Sequence, residues 1–162
     1  MSDSGFVLVD RPRPHVALVT LNRPERMNSM AFDVMVPLKR ALEVVTYDNS
    51  ARVVVLTGAG RGFSSGADHK SAGAVPHVDG LTRPTYALRS MELLDDVILA
   101  LRRLHQPVIA AVNGAAIGGG LCLALAADIR VAASGAYFRA AGINNGLTAS
   151  ELGLSYLLPR AI

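Results

Sequence analysis

Pro107-Val108-Ile109-Ala110-Ala111-Val112-Asn113-Gly114-Ala115-Ala116-Ile117-Gly118-Gly119-Gly120 is the stretch on which the fold turns. A continuous apolar run is the pattern of a strand buried on both faces. Asn113-Gly114 closes it, and the triple glycine opens onto a short apolar helix over residues 121–127. Upstream, Val53-Val54-Val55-Leu56-Thr57 repeats the pattern and also ends in glycine, at Gly58. Between the two strands, Leu88, Met91, Leu94, Val97, Ile98, Leu101 and Leu104 recur at helical spacing. Arg102 and Arg103 fall in that helix's last turn, where cations suit the dipole. A strand, helix, strand order implies a right-handed crossover, so the fold class is α/β with a mainly parallel sheet.

Moving outward, residues 6–10 and 16–21 are Val- and Leu-rich runs separated by Arg11-Pro12-Arg13-Pro14. Two prolines deny ladder donors there, and the segment reads as a hairpin. A polar connection, Asn22-Arg23-Pro24-Glu25-Arg26, leads to Ala31, Val34, Leu38, Ala41, Leu42 and Val45 at helical spacing. Ser29 is the expected N-cap. Pro37 would cost about 3 kcal/mol inside a helix, so a kink or a later start is expected. Residues 129–132 and 136–138 read as extended. Residues 69–85, with Gly73, Pro76, Gly80 and Pro84, are the least structured stretch and the expected mobile segment. The chain ends within an expected helix at Leu158-Pro159-Arg160-Ala161-Ile162.

The length of 162 residues is the size of one domain. Hydrophobic content is 51%, yet no run reaches the ~20 apolar residues of a membrane span, so no membrane partner is expected. The start, Met1-Ser2-Asp3-Ser4-Gly5, lacks the pattern of a secretory signal. A single cysteine, Cys122, permits no internal disulfide, and a reducing cytoplasm fits best. A net charge of +3 from scattered Lys and Arg residues argues against nucleic acid and is compatible with a small polyphosphate ligand. No metal site is expected.

Both glycine-bearing loops, residues 58–68 and 113–120, follow buried strands. In open parallel sheets ligands bind beyond the carboxyl ends of strands, so the loops should converge on one crevice. The second loop leads into a helix whose first N–H groups lack partners. Its occupant is a phosphate, a developing oxyanion, or nothing beyond close backbone packing. The G-x-G-x-x-G fingerprint is absent and neither loop has a phosphate-loop Lys-Ser/Thr ending, which argues against nucleotides.

Three blocks carry a resemblance: Leu21-Asn22-Arg23-Pro24; Val54-Val55-Leu56-Thr57-Gly58-Ala59-Gly60 through Phe63-Ser64-Ser65-Gly66-Ala67-Asp68; and Pro107 through Gly120. In order and spacing they resemble the enoyl-CoA hydratase/isomerase (crotonase) family over nearly the whole chain. The resemblance implies a crotonase-like fold of repeated ββα units, with residues 1–162 forming an acyl-CoA-binding core and a C-terminal helical region missing. It also implies that a thioester carbonyl accepts hydrogen bonds from the amides of Ala67 and Gly119. Reaction alpha or beta to the thioester passes through an enolate, and each such donor can contribute about 3 kcal/mol in the transition state. The coenzyme A contacts it implies are Arg26, Met27, Ser65, Ala67, Asp68, His69, Lys70 and Gly119. It implies no permanently bound cofactor, coenzyme A coming as part of the substrate, and, where the C-terminal region is present, a homo-oligomer, a trimer or dimer of trimers. Read as residues alone, Arg26, His69 and Lys70 are equally solvated surface groups, and Asp68 a turn residue bonding its own backbone.

The sequence departs from that family where chemistry matters most. A family hydratase has one glutamate two residues after the triple glycine and another in the following strand; here Cys122 and Gly142 stand there. Paired-glutamate hydration is therefore not expected. Glu151 remains, in a segment resembling the one where the dienoyl-CoA isomerase branch carries a catalytic aspartate, allowing one inserted residue. It is the candidate acid and base, although Thr148-Ala149-Ser150-Glu151 is also a capping box. Cys122, in a first helical turn, reads better as a small core residue than as a nucleophile. Asn144 and Asn145 either orient a water or form a turn. The expected function is isomerase-type or other enolate-forming chemistry on an acyl-CoA; the alternative is a non-catalytic binder or assembly subunit of the same fold.

Overall fold

The computed structural model describes residues 5–142 and 150–162, the side chain of Glu151 excepted. In chain order the elements are β1 (Val7–Arg13), β2 (Val16–Leu21), α1 (Phe32–Thr46), β3 (Val53–Gly58), β4 (Gly62–Ser64), α2 (Arg83–Arg102), β5 (Val108–Val112), β6 (Ala115–Ile117), α3 (Gly119–Ala126), β7 (Ile129–Ala132), β8 (Phe138–Arg139) and α4 (Leu154–Leu157). They form a five-stranded sheet, β1-β2-β3-β5-β7, and a three-stranded sheet, β4-β6-β8. Among the described residues only β1 and β2 pair antiparallel, and every other pairing is parallel. This is the α/β architecture that the alternating strands and helices imply.

The hairpin forms, and β1 runs further than expected, to Arg13. Its register shifts between Asp10 and Arg13, which leaves Arg11 and Pro12 out of the paired positions. A bulge on an edge strand is where a proline does least harm. Arg13 pairs with Val16 across Pro14-His15, and His15 turns the chain with φ +66°.

Helix α1 corrects two expectations. Its N-cap is Ala31, not Ser29, and it continues through Pro37 to Thr46 as one α-helix. Burial outweighs the proline: Val34, Met35, Leu38 and Val45 show no exposure and Leu42 only 1%. Each such side chain contributes about 1.5–3 kcal/mol, so together they exceed the penalty of about 3 kcal/mol. Helix α2 starts at Arg83, with Pro84 in its first turn where the missing N–H is harmless. Thus the first residues of α2 come from the stretch read as unstructured. Residues 69–82 are irregular, with Val75 buried and the Ala72 carbonyl accepting from the Phe32 amide at the start of α1.

Strands β3 and β5 alternate buried and half-buried positions rather than being fully buried on both faces. The side chains of Ala17, Val19, Leu21, Val54 and Leu56 share one core with the buried side chains of α1. Helix α3 is apolar all round, Leu121-Cys122-Leu123-Ala124-Leu125-Ala126, and every one of these residues is buried, as such a helix must be. It descends from the end of β6 into the interior and fixes where the second glycine-bearing loop begins.

Candidate functional site

Gly62 and Ser64 of β4 pair in parallel with Ala115 and Ala116 of β6, so the segments after these strands leave the sheet side by side. The first turns at Gly66 (φ +80°), the second at Gly118 (φ +53°), the N-cap of α3. A Cβ placed on Gly66 would stand 2.5 Å from the Ile117 carbonyl oxygen and 3.2 Å from the Gly119 amide nitrogen. The two expected donor segments therefore share one place.

Ala67 forms a parallel bridge with Met30. The Met30 amide donates to the Gly66 carbonyl (2.7 Å) and the Asp68 amide to the Met30 carbonyl (3.1 Å). Successive peptide groups of an extended chain face opposite sides, so the Ala67 amide points away from Met30. The Gly119 amide is the first of α3, where the helix supplies no acceptor. Among the described residues neither amide has an acceptor. Ala67 is exposed and Gly119 half-buried, so both can be reached from outside.

Asp68 sits below this surface with its side chain 3% exposed. Its Oδ1 accepts from Arg26 Nη2 and from the amides of Lys70 and Ser71, each at 2.9 Å. Its Oδ2 accepts from Arg23 Nη1 at 3.1 Å and Ser29 Oγ at 2.9 Å. Burial pushes its carboxyl up, but the amides of Lys70 and Ser71, the Ser29 hydroxyl and the Arg26 guanidinium hold it well below the ordinary carboxylate range. The turn geometry read from sequence is present, and it is only part of the role. Ser29, released from capping, serves this carboxylate instead.

The remaining expected coenzyme A contacts gather around the same loop. Met27 adopts φ +53°, its sulfur accepting from Arg61 Nε at 3.0 Å and its carbonyl from the Ser65 amide at 2.9 Å. His69 and Lys70 are exposed. Cys122 is 3% exposed within buried α3, the core position anticipated for it. Glu151 begins a 3-10 turn, Glu151–Gly153. Its neighbour Leu152 donates its amide to Asp95 Oδ1 of α2 at 3.2 Å. Leu152 Cδ1 lies 3.0 Å from the Cβ position of Gly119, so the side chain next in sequence to Glu151 reaches the start of α3. Asn144, Asn145 and the Thr148 and Ala149 part of the capping box lie outside the described residues.

Sequence reasoning missed Asn28, which shows no exposure and adopts φ +52°. Its Oδ1 accepts from the Arg23 amide, and its Nδ2 donates to the carbonyls of Ala59 and Gly62, all at 2.9 Å. Arg23 was missed too: it is 8% exposed, paired with Asp68 and stacked 5.2 Å from the Phe6 ring. The available signal was Asn in a polar connection, since Asn tolerates left-handed backbone better than other side chains. Surface grooves of ≈ 390 and ≈ 790 Å³ run along α1 and α2 around Lys39, Glu43 and Asp96, and neither Ala67 nor Gly119 lines them. Among the described residues no helix is long and apolar enough to cross a membrane, and no cluster of His, Cys, Asp and Glu could hold a metal.

A fold of parallel strands with two open amides at the ends of β4 and β6 defines a class, and comparison with known proteins agrees with it. The sequence model of the family described as enoyl-CoA hydratase/isomerase matches residues 12–162, so the chain belongs to that family. It is 86% identical over 161 residues to a probable enoyl-CoA hydratase, EchA12, of Mycobacterium tuberculosis, a match covering 99% of this chain and 56% of that protein. A probable enoyl-CoA hydratase/isomerase from Mycobacterium abscessus superposes with a TM-score of 0.90 at 76% identity, covering 97% of this chain and 58% of the other. A structure described as a monofunctional enoyl CoA isomerase from M. smegmatis is 70% identical with a TM-score of 0.77, covering 97% of this chain and 62% of the other. The chain thus spans little more than half the length of these relatives.

Proposed function

We propose that this chain is the acyl-CoA-binding part of an enzyme that isomerises an enoyl-CoA, or carries out related enolate-forming chemistry, with the amides of Ala67 and Gly119 as its oxyanion hole. The observation that supports this reading is the approach of the Gly66-Ala67 turn to the Gly119 amide, the two amides being open to an incoming ligand and without an acceptor among the described residues. Such donors are fixed before the substrate arrives, so they stabilise the developing enolate without reorganisation. Glu151 is the group that moves the proton between the alpha and gamma carbons: it takes one as carboxylate and returns it as acid. The Leu152 side chain beside Gly119 supports bringing this segment of the chain near the cradle. The isomerase description of the M. smegmatis relative is in line with this chemistry.

Arg26, Met27, Ser65, His69 and Lys70 contact the coenzyme A moiety, which arrives with the substrate; no separate cofactor takes part. With the C-terminal helical region present, the protein works as a homo-oligomer, a trimer or dimer of trimers, in the cytoplasm. Glu151→Gln abolishes turnover of a 3-enoyl-CoA while leaving thioester affinity nearly unchanged; unchanged turnover removes Glu151 from the mechanism. The occupation of the two usual glutamate positions by Cys122 and Gly142 favours a second reading, a non-catalytic acyl-CoA binder. Thioester binding without turnover across a panel of chain lengths would establish that reading instead.

A further inference from the structure

Between the end of β4 at Ser64 and the start of α2 at Arg83 no helix or ladder holds the chain. Ala67 lies in this span, and among the described residues its only sheet-like contact is the bridge to Met30. An amide that must aim at one oxygen needs more than that, because a donor displaced by a fraction of an ångström loses most of its electrostatic effect. The structure supplies further fixation on both sides. Before Ala67, the Ser65 amide donates to the Met27 carbonyl at 2.9 Å. After it, the carboxylate of Asp68 takes Ser29 Oγ at 2.9 Å, directly beside the Met30 bridge. The same carboxylate holds Arg23 and Arg26 from the loop before α1, and the amides of Lys70 and Ser71 from the turn beyond.

We propose that Asp68 is the positioning residue of the thioester cradle: its buried carboxylate locks the loop containing Arg23, Arg26 and Ser29 to the backbone that presents the Ala67 amide. The inference rests on the reading of Ala67 and Gly119 as paired donors. The Asp68 carboxylate, buried and bonded on both oxygens, acts through Ala67. A carboxylate suits the task because its two oxygens accept several bonds at once, and two guanidinium groups compensate its charge away from water. An amide in its place keeps the shape but directs an NH2 group at donors. It therefore disturbs the lock without opening a cavity.

The test uses the intact protein with a chromophoric dienoyl thioester, 2,4-hexadienoyl-CoA, whose absorbance moves to longer wavelength when its carbonyl is polarised. Wild-type protein is expected to red-shift the bound ligand. Asp68→Asn, verified as folded by circular dichroism, is expected to lose most of the shift and to lower kcat by about tenfold or more. A folded Asp68→Asn with the full shift and wild-type kcat overturns the proposal. If that variant does not fold, Ser29→Ala removes one of the same bonds, and an undiminished shift in it overturns the proposal equally. Absence of a shift in the wild type overturns the paired-donor reading itself, a failure visible before any variant is made.

Discussion

Gly66 and Gly119 stand too close for a side chain between them: the Cβ that Gly66 lacks would lie 3.2 Å from the Gly119 amide nitrogen. Residues 53 positions apart in sequence thus bring two loop ends to one point, because β4 and β6 pair in parallel just behind them. A contact this close leaves little slack, and the neighbouring glycines show what fills the surroundings.

The next two glycines should respond differently to alanine. A Cβ on Gly120 would stand 2.3 Å from the Ser64 backbone oxygen, which cannot move without parting β4 from α3. A Cβ on Gly119 would meet Met30 Sδ at 2.3 Å and Leu152 Cδ1 at 3.0 Å, the ends of flexible side chains. Gly120→Ala is therefore expected to destabilise by about 3 kcal/mol, at or above the upper range for overpacking, and Gly119→Ala by about 1 kcal/mol. Denaturant unfolding of the two variants checks the order. Equal losses would mean that the Met30 and Leu152 side chains are as fixed as backbone.

Asn28 is expected to be the most sensitive polar residue of the loop before α1. Asn28→Ala removes the acceptor for the Arg23 amide and the donor to the Ala59 and Gly62 carbonyls, all in buried surroundings. It also places a less tolerant residue at φ +52°. Unsatisfied buried groups cost about 1–3 kcal/mol each, so a loss of about 3 kcal/mol is expected on thermal or chemical denaturation. A loss below about 1 kcal/mol would show that water replaces the side chain there.

The elements legible in the sequence are those whose cause is local. Val53 to Thr57 and Val108 to Val112 are apolar runs ended by glycine or Asn-Gly, and both became parallel strands. The strands β4, β6 and β8 have three residues or fewer, too short for any periodicity to show. The place of the two glycine-bearing loops could be read, since strand ends in parallel sheets gather ligands. The network beneath them could not: Asp68 meets Ser29 across 39 residues and Arg23 across 45. Ser29 was given to a nearby helix start because cap preference is a local rule, while a buried carboxylate from a distant loop made the stronger claim.

Pro37 offers a stability gain away from the site. It lies within continuous α1, where it supplies no N–H to the carbonyl one turn before it. Pro37→Ala is expected to restore that bond and raise stability by about 2 kcal/mol, the helix gain reduced by the greater freedom of the unfolded chain. The midpoint of thermal unfolding should rise, with thioester affinity unchanged. A fall in the midpoint would show that the proline ring fills space an alanine leaves empty.

Acid should weaken the fold through Asp68 more than through the exposed carboxylates. Both Asp68 and Asp48 have lowered folded values, Asp48 from 3.8 to about 2, chiefly through the Ser50 hydroxyl and then Arg11; Asp68 lies lower still, despite a burial that opposes it, through the Lys70 and Ser71 amides, Ser29 and Arg26. A depressed folded value means that the unfolded chain takes up protons first, so the stabilisation is present above the unfolded value of about 3.9 and is lost as pH falls through the folded one. Stability should therefore be flat at neutral pH and decline below about pH 4. Asp68→Asn removes a group that is bonded on both oxygens and shielded from solvent, whereas Asp48 faces water, where such pairs contribute little. The acid decline, measured as the denaturant midpoint between neutral pH and about pH 3, should flatten clearly in Asp68→Asn and hardly at all in Asp48→Asn. The reverse ranking would mean that the buried carboxylate keeps its partners when protonated, and that the strength of its network lies in shape and not in charge.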